Sequence, residues 1–197
     1  MTLDPRRNGL LTASDFGAAC GVNPYCSRQK LFRLKTGREV FEGNERTAWG
    51  NDNEAAAIAK YEAASGNLVT PGAFIVNPHY PTLGATPDAF VGDFGLLEVK
   101  APTSGLYNDV PEYYLAQVIG QIAIAGRKWC DFSAWVPEET RIWRVEMSGR
   151  GWAWMLPRLE EMCYHIANDT PPKKYGAANK KPTLGTLRAL VSYHRTT

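Results

Sequence analysis

No apolar run in the 197 residues approaches the roughly 20 needed to cross a bilayer. The opening "MTLDPRRNGLLTAS" has no signal-peptide apolar core, so a cytosolic location is expected. Cysteine is scarce: Cys20, Cys26, Cys130 and Cys163 show no C-x-x-C and no paired zinc spacing. Buried reduced thiols are therefore expected, not a disulfide framework or a metal cluster. No internal repeat is visible, and no large excess of charge of either sign, the formal net charge being +2.

What remains is an ordinary globular composition. Hydrophobic residues make up 44% and charged residues 21%, which excludes wholesale disorder. The length suits one enzyme-sized domain, read as residues 1–170, whose core needs no staples. Residues 171–197 read as a basic loop and tail, packed on that domain or extending from it. They hold six basic residues (Lys173, Lys174, Lys180, Lys181, Arg188 and Arg195) and no acid, leaving 16 basic against 20 acidic side chains in the first 170. Such a tail is either a solvated end or a patch for a polyanion.

Turn and periodicity signals divide the chain. "TASDFGAACG" and "SRQKLFRLKTG" read as short helices ending near Gly21 and Gly37. The second carries Arg28, Lys30, Arg33, Lys35 and, just beyond it, Arg38, a basic face that is either solvated or turned to DNA. An alanine-rich helix is expected from Asn51 to Gly66, then one or two strands in "NLVTPGAFIV". "VPEYYLAQVIGQIAIAGRK" reads as a mostly buried helix with Gln117 and Gln121 one turn apart. "WCDFSAWVPEETRIWRVEM" is a hairpin turning at "PEET", and "GWAWMLPRLEEMCYHIAN" a closing helix that Pro157 can kink.

The chemistry concentrates in "GATPDAFVGDFGLLEVKAPTS", residues 84–104. If "DAFVG" and "LLEVKA" are strands around "DFG", a register centred near Asp93 and Phe94 brings Asp88 within about one residue of Glu98 across the ladder. Alternation puts Glu98 and Lys100 on one face and Leu97, Val99 and Ala101 on the other, which can pack on a helix. Two carboxylates about 4 Å apart repel by roughly 4 kcal/mol at an effective dielectric near 20. They call for a cation, which Lys100 or a divalent metal supplies. Hard oxygen ligands with open positions suit Mg²⁺ or Mn²⁺ beside phosphate. A surface Asp with a solvent-facing Glu and Lys is the plainer alternative.

"PDAFVGDFGLLEVK" resembles the P-D-(D/E)-x-K nuclease motif, and its flanks resemble the lambda exonuclease or YqaJ-type viral recombinase branch. "LLTASDFGAACGVNPY" is similar to that branch's N-terminal block, "AWGNDNE" to its W-G-x-x-x-E block, and "LAQVIGQ" to its A-Q-x-x-x-Q helix. The likeness runs from about Arg7 to residue 147. It implies an α/β (α+β) fold of the restriction-endonuclease type, a mixed sheet flanked by helices, in a bacterial host cytoplasm.

The resemblance also implies roles. Asp88 and Glu98, with the backbone carbonyl of Val99, would hold metal, and Lys100 would hold or activate the attacking water. A cation beside Lys100 would lower its pKa. Glu54 would complete the site as a second-metal or water ligand, two Mg²⁺ ions per site being implied, with Mn²⁺ as a substitute. Asn51-x-x-Glu54 is equally a capping-box spacing. Gln117 would reach the site from its helix. Arg7, Ser14 and Thr86 would grip a 5′-phosphate, although Ser14 is also a candidate N-cap and Thr86 stands where the family pattern implies serine.

The activity implied is Mg²⁺-dependent 5′→3′ digestion of double-stranded DNA ends, releasing mononucleotides and leaving 3′ single strands. A ring-shaped homotrimer and a single-strand annealing protein are the implied partners. Endonucleases and junction resolvases share the hairpin, so they stay open as alternatives, as does a catalytically silent DNA-binding module. A helicase-coupled iron–sulfur nuclease would need three clustered C-terminal cysteines, and here the four are scattered.

Overall fold

The computed structural model describes residues 5–7, 9–173, 182 and 185–197. Two 3-10 turns, Pro5–Arg7 and Ala13–Asp15, flank strand β1 (Leu11–Thr12). Helices α1 (Phe16–Ala19), α2 (Arg28–Lys35) and α3 (Glu45–Ser65) follow, then strands β2 (Val69–Pro71), β3 (Ile75–Val76), β4 (Leu83–Ala85), β5 (Ala89–Val91) and β6 (Gly95–Lys100). Helix α4 (Glu112–Ala125), the hairpin β7 (Trp129–Val136) and β8 (Glu139–Glu146), helix α5 (Gly149–Ala167) and strand β9 (Tyr193–Arg195) complete the order.

The strands form two mixed sheets. One runs β1-β4-β3 with β1 and β4 parallel. The other runs β2-β5-β6-β7-β8-β9, antiparallel except for β6 beside β7, the pair that α4 connects. A parallel pair needs such a crossover because a tight turn cannot return the chain in the same direction. This is the mixed α/β architecture that the sequence implies.

Each face of the six-stranded sheet buries its own apolar set. Leu97, Val99, Trp135 and Ile142 pack with Ala57 and Tyr61 of α3. Leu96, Phe132, Trp143 and Val145 pack with Leu115, Ile119 and Ile122 of α4 and with Met155 of α5. Each fully buried Leu, Ile or Phe contributes roughly 2 kcal/mol. Helix α1 crosses α4 closely because both present glycine: a Cβ on Gly120 would lie 2.3 Å from the Phe16 ring, and one on Gly17 would lie 2.7 Å from the Cβ of Tyr113.

Two expectations need correction. Helix α3 opens at Glu45 and not at Asn51, because the side chain of Asn44 accepts from the N–H of Thr47 at 3.0 Å and supplies the cap about two turns earlier. Asn51 and Glu54 therefore lie inside the helix, and the capping-box reading of Glu54 falls. The strand pairing is as expected, but the hairpin turns on Gly92–Phe94, with Gly92 at φ 54°, so Gly95 already belongs to β6. The basic face of α2 is solvated, as one of the two readings has it, with Lys30, Arg33 and Arg38 42%, 47% and 43% exposed, and its cations are paired with acids of the chain. Arg28 is buried against Glu161 at 2.7 Å, Arg33 pairs with Glu39 at 2.9 Å, and Lys35 pairs with Asp15 at 2.5 Å. Lys30 reaches Glu39 at 3.9 Å, and Arg38 forks onto Asp169 at 2.5 and 2.7 Å.

Helix α5 continues as one element through Pro157. All four cysteines are free, Cys20 and Cys130 buried and Cys26 and Cys163 half-buried. Burial pushes the Cys20 thiol up to about 12. At the C-terminal end, β9 is the outer strand of the larger sheet, paired with β8. The buried carboxylate of Glu112 accepts the N–H groups of Gly185, Leu187 and Arg188 at 2.8, 2.6 and 3.2 Å. Lys174, Lys180 and Lys181 of the basic stretch lie outside the described residues. Among the described residues no helix is long and apolar enough to cross a membrane.

Candidate active site

The β5–β6 register pairs Ala89 with Leu97, and the N–H of Asp88 extends it by donating to the carbonyl of Leu97 at 3.1 Å. Asp88 thus stands opposite Glu98. One Asp88 oxygen accepts the Val99 N–H at 2.7 Å. Behind it, a Cβ on Gly72 would fall 1.8 Å from the carbonyl of Pro87, so glycine is what lets the β2–β3 connection lie against this corner.

Alternation along β6 sends Leu97 and Val99 to the α3 side and Glu98 to the α4 side. Glu98 is 1% exposed. There Gln117 Nε2 donates to Oε1 and Gln121 Nε2 to Oε2, each at 2.6 Å, and Lys100 Nζ donates to Oε1. The ammonium of Lys100 also lies 5.3 Å from the centre of the Tyr114 ring. A carboxylate with three donors is satisfied as an anion.

The charges here are strongly interdependent. Burial, then the neighbouring Glu98, pushes the Asp88 carboxyl well above the usual carboxylate range, while Lys100 and the Val99 N–H pull it back and Glu54 adds to the rise. Burial pulls Lys100 down, but Glu98 and Asp88 together outweigh it and hold the ammonium above its ordinary value. That direction is opposite to the one expected beside a cation. In the protein alone, Lys100 is the counter-charge of the acid pair.

Glu54 lines the same open cavity of about 630 Å³ as Asp88, Val99 and Lys100. Among the described residues no three His, Cys, Asp or Glu side chains close into a metal cage. The donor set still fits a hard divalent ion: two carboxylates from adjacent strands, of which Asp88 is pushed up by burial and by its neighbour Glu98, with a third acid on the cavity wall. An open coordination sphere is what a site shared with substrate requires.

Arg7 and Thr86 are brought together, the guanidinium donating to Thr86 Oγ1 at 2.5 Å while it stacks 5.5 Å from the Phe74 ring centre. The parallel β1–β4 pairing, Leu11 to Leu83 and Thr12 to Gly84, sets Ser14 and Thr86 just beyond matching strand ends. Ser14 is exposed and its hydroxyl lies 3.2 Å from that of Thr12. It is not the N-cap: Thr12 holds that position, its N–H and hydroxyl both donating to Asp15 at 2.9 and 2.7 Å.

The sequence reading missed Gln121 as a site residue. Besides Glu98, its Nε2 reaches the carbonyl of Thr86 at 3.3 Å, so one amide joins the two halves of the site. Its spacing one turn after Gln117 was the available signal. Also missed were Tyr107, Tyr113, Tyr114 and Arg46, which line the cavity with Lys100. Nothing in their local sequence marks them.

A mixed sheet that carries a buried acid pair and a lysine on adjacent strands, with two glutamines clamping one acid, defines a class, the phage-type exonucleases. The YqaJ-like viral recombinase domain matches residues 3–128, and the chain belongs to that family. Among solved structures, the alkaline exonuclease of Laribacter hongkongensis is similar at 26% identity, covering 83% of this chain and 91% of its own, with a TM-score of 0.70. A second structure of that exonuclease, in complex with dAMP, matches at 24% identity and a TM-score of 0.69, with the same coverage. The phage-related exonuclease of Haemophilus somnus shares the fold at 12% identity, covering 82% of this chain and 93% of its own, with a TM-score of 0.61. No curated protein sequence matches significantly.

Proposed function

We propose that this exonuclease digests linear double-stranded DNA from 5′-phosphorylated ends in the 5′→3′ direction, releasing 5′-mononucleotides and leaving 3′ single strands for annealing recombination. The observation that carries the reading is the Asp88–Glu98 pair with Lys100 on Glu98, of which Asp88 and Lys100 line a cavity wide enough for a nucleotide. Asp88, Glu98 and the Val99 carbonyl would hold Mg²⁺ or Mn²⁺, with Glu54 toward a second ion. The ion supplies charge neutralisation at the phosphoryl group.

The chain's own groups do the rest. Gln117 and Gln121 hold both oxygens of Glu98 and so fix the orientation of its carboxylate. Lys100 orients the attacking water and offsets charge building on the phosphoryl oxygens. Arg7 and Thr86, with Ser14 near by, receive the terminal 5′-phosphate, and the Gln121 link to Thr86 sets the spacing between that phosphate and the scissile one. A ring of three copies would keep the duplex captured between cuts, and an annealing protein would take the exposed strand.

The test is digestion of one linear duplex, phosphorylated at a single 5′ end and labelled at either terminus, with Mg²⁺ or with chelator. Mononucleotides from the phosphorylated end, with metal only, are expected. Internal fragments, or nicking of closed circular DNA at a comparable rate, would replace this reading with an endonuclease; an untouched duplex that still binds would make it a binding module.

A further inference from the structure

The cavity that holds Lys100 is walled by aromatic rings that the phosphate chemistry does not use. Tyr25, 73% exposed, meets Tyr113 edge to face at 5.8 Å between ring centres. Tyr113 meets Tyr114 at 4.2 Å, and Tyr114 lies 5.3 Å from the Lys100 ammonium. The rings form a continuous ladder from solvent to the reacting end of the site. Phe41, 63% exposed, and Arg46, also exposed, line the same cavity. The cations of α2, by contrast, are all bound to acids of the chain.

Two exposed rings lining an open cavity that also holds an exposed arginine, a lysine and two carboxylates do not fit a protein-docking patch. They fit a flat aromatic ligand attached to an anion. Every nucleobase has a π-face, so stacking on aromatic side chains binds any sequence, and an arginine adds attraction to ring and phosphate alike. Resting on the nuclease reading above, we infer that Tyr25 and Phe41, backed by Tyr113 and flanked by Arg46, form a stacking subsite for the base of the nucleotide being removed. The base is gripped there while its phosphate lies at Lys100, so the enzyme senses that a base is present without reading which one.

The subsite is tested by single-turnover hydrolysis of a 5′-phosphorylated duplex whose terminal nucleotide is either normal or an abasic analogue. The wild-type chain should cut the normal end about tenfold faster, within the range of one base–aromatic stack. In the double variant Tyr25→Ala with Phe41→Ala that ratio should fall to about one, because only the normal end loses a contact. Tryptophan at both positions should restore it. A wild-type ratio near one, or a ratio unchanged in the double variant, overturns the subsite. If no hydrolysis occurs at all, the nuclease reading fails separately. The subsite is then decided by 2-aminopurine placed at the 5′ terminus and bound in chelator: quenching by the wild type and not by the double variant supports it, and equal quenching overturns it.

Discussion

Glu98 and Asp131 are both buried carboxylates, 1% and 2% exposed, on the adjacent strands β6 and β7. Their environments differ completely. Because Glu98 pairs with Phe132, Asp131 belongs to the opposite face of the sheet, under α3. There Arg144 grips it with two hydrogen bonds of 2.9 Å, the Tyr61 hydroxyl adds a third at 2.8 Å, and the guanidinium stacks 3.8 Å from the Trp129 ring centre. Asp131 has one cation and no rival acid, which is a closed structural pair. Glu98 shares its cation with Asp88, receives neutral amides from α4, and opens through Lys100 to a cavity. A buried acid kept next to a second acid contributes poorly to stability and is suited to binding something positive.

That contrast can be broken by four measurements. Asp88→Asn should lower hydrolysis by at least about 10³-fold, through lost metal and lost transition-state neutralisation, with the melting temperature not reduced. Calorimetric titration showing normal Mg²⁺ binding by this variant would remove Asp88 from the ligand set. Asp131→Asn should do the reverse. It costs about 2 kcal/mol, a fall of roughly 5 °C in Tm, because Arg144 and Tyr61 lose an ionised partner, while activity below the transition stays near wild type.

Gln121→Leu strips Glu98 Oε2 of its hydrogen bond and uncouples Thr86. A drop of about tenfold in kcat is expected with little change in KM, and a loss confined to KM would place Gln121 in substrate binding instead. The smallest effect belongs to the surface. Arg33→Ala should shift stability by under about 0.5 kcal/mol and leave both duplex affinity and its salt dependence as they were, since Glu39 already holds that cation. A shallower salt slope would mean that α2 does face DNA.

The hairpin was legible because period-two alternation and a turn signal decide a two-stranded register locally, and Asp88, Glu98 and Lys100 all follow from it. Glu54 was harder. Gly50 is a poor helix former inside α3, and Asn51 with Glu54 at capping-box spacing directly after it looks like a helix start. The basic residues around α2 were visible, but Glu161, which holds Arg28, and Asp169, which holds Arg38, lie more than 130 residues away, and only packing brings them together. Gln121 and the tyrosine wall are long-range in the same sense. Their spacing shows helix faces, not what those faces meet.

The most direct test of the comparison is the melting temperature of Glu98→Gln with and without Mg²⁺. The new amide can be accommodated by reversing Gln121, whose Oε1 is buried without a partner, and Lys100 is 25% exposed to the cavity and keeps Asp88. Without metal the variant should therefore melt within about 2 °C of wild type. Mg²⁺ should raise the wild-type temperature and leave the variant unmoved. A fall as large as that of Asp131→Asn, or an equal Mg²⁺ shift in both proteins, would make Glu98 a structural acid and contradict the account.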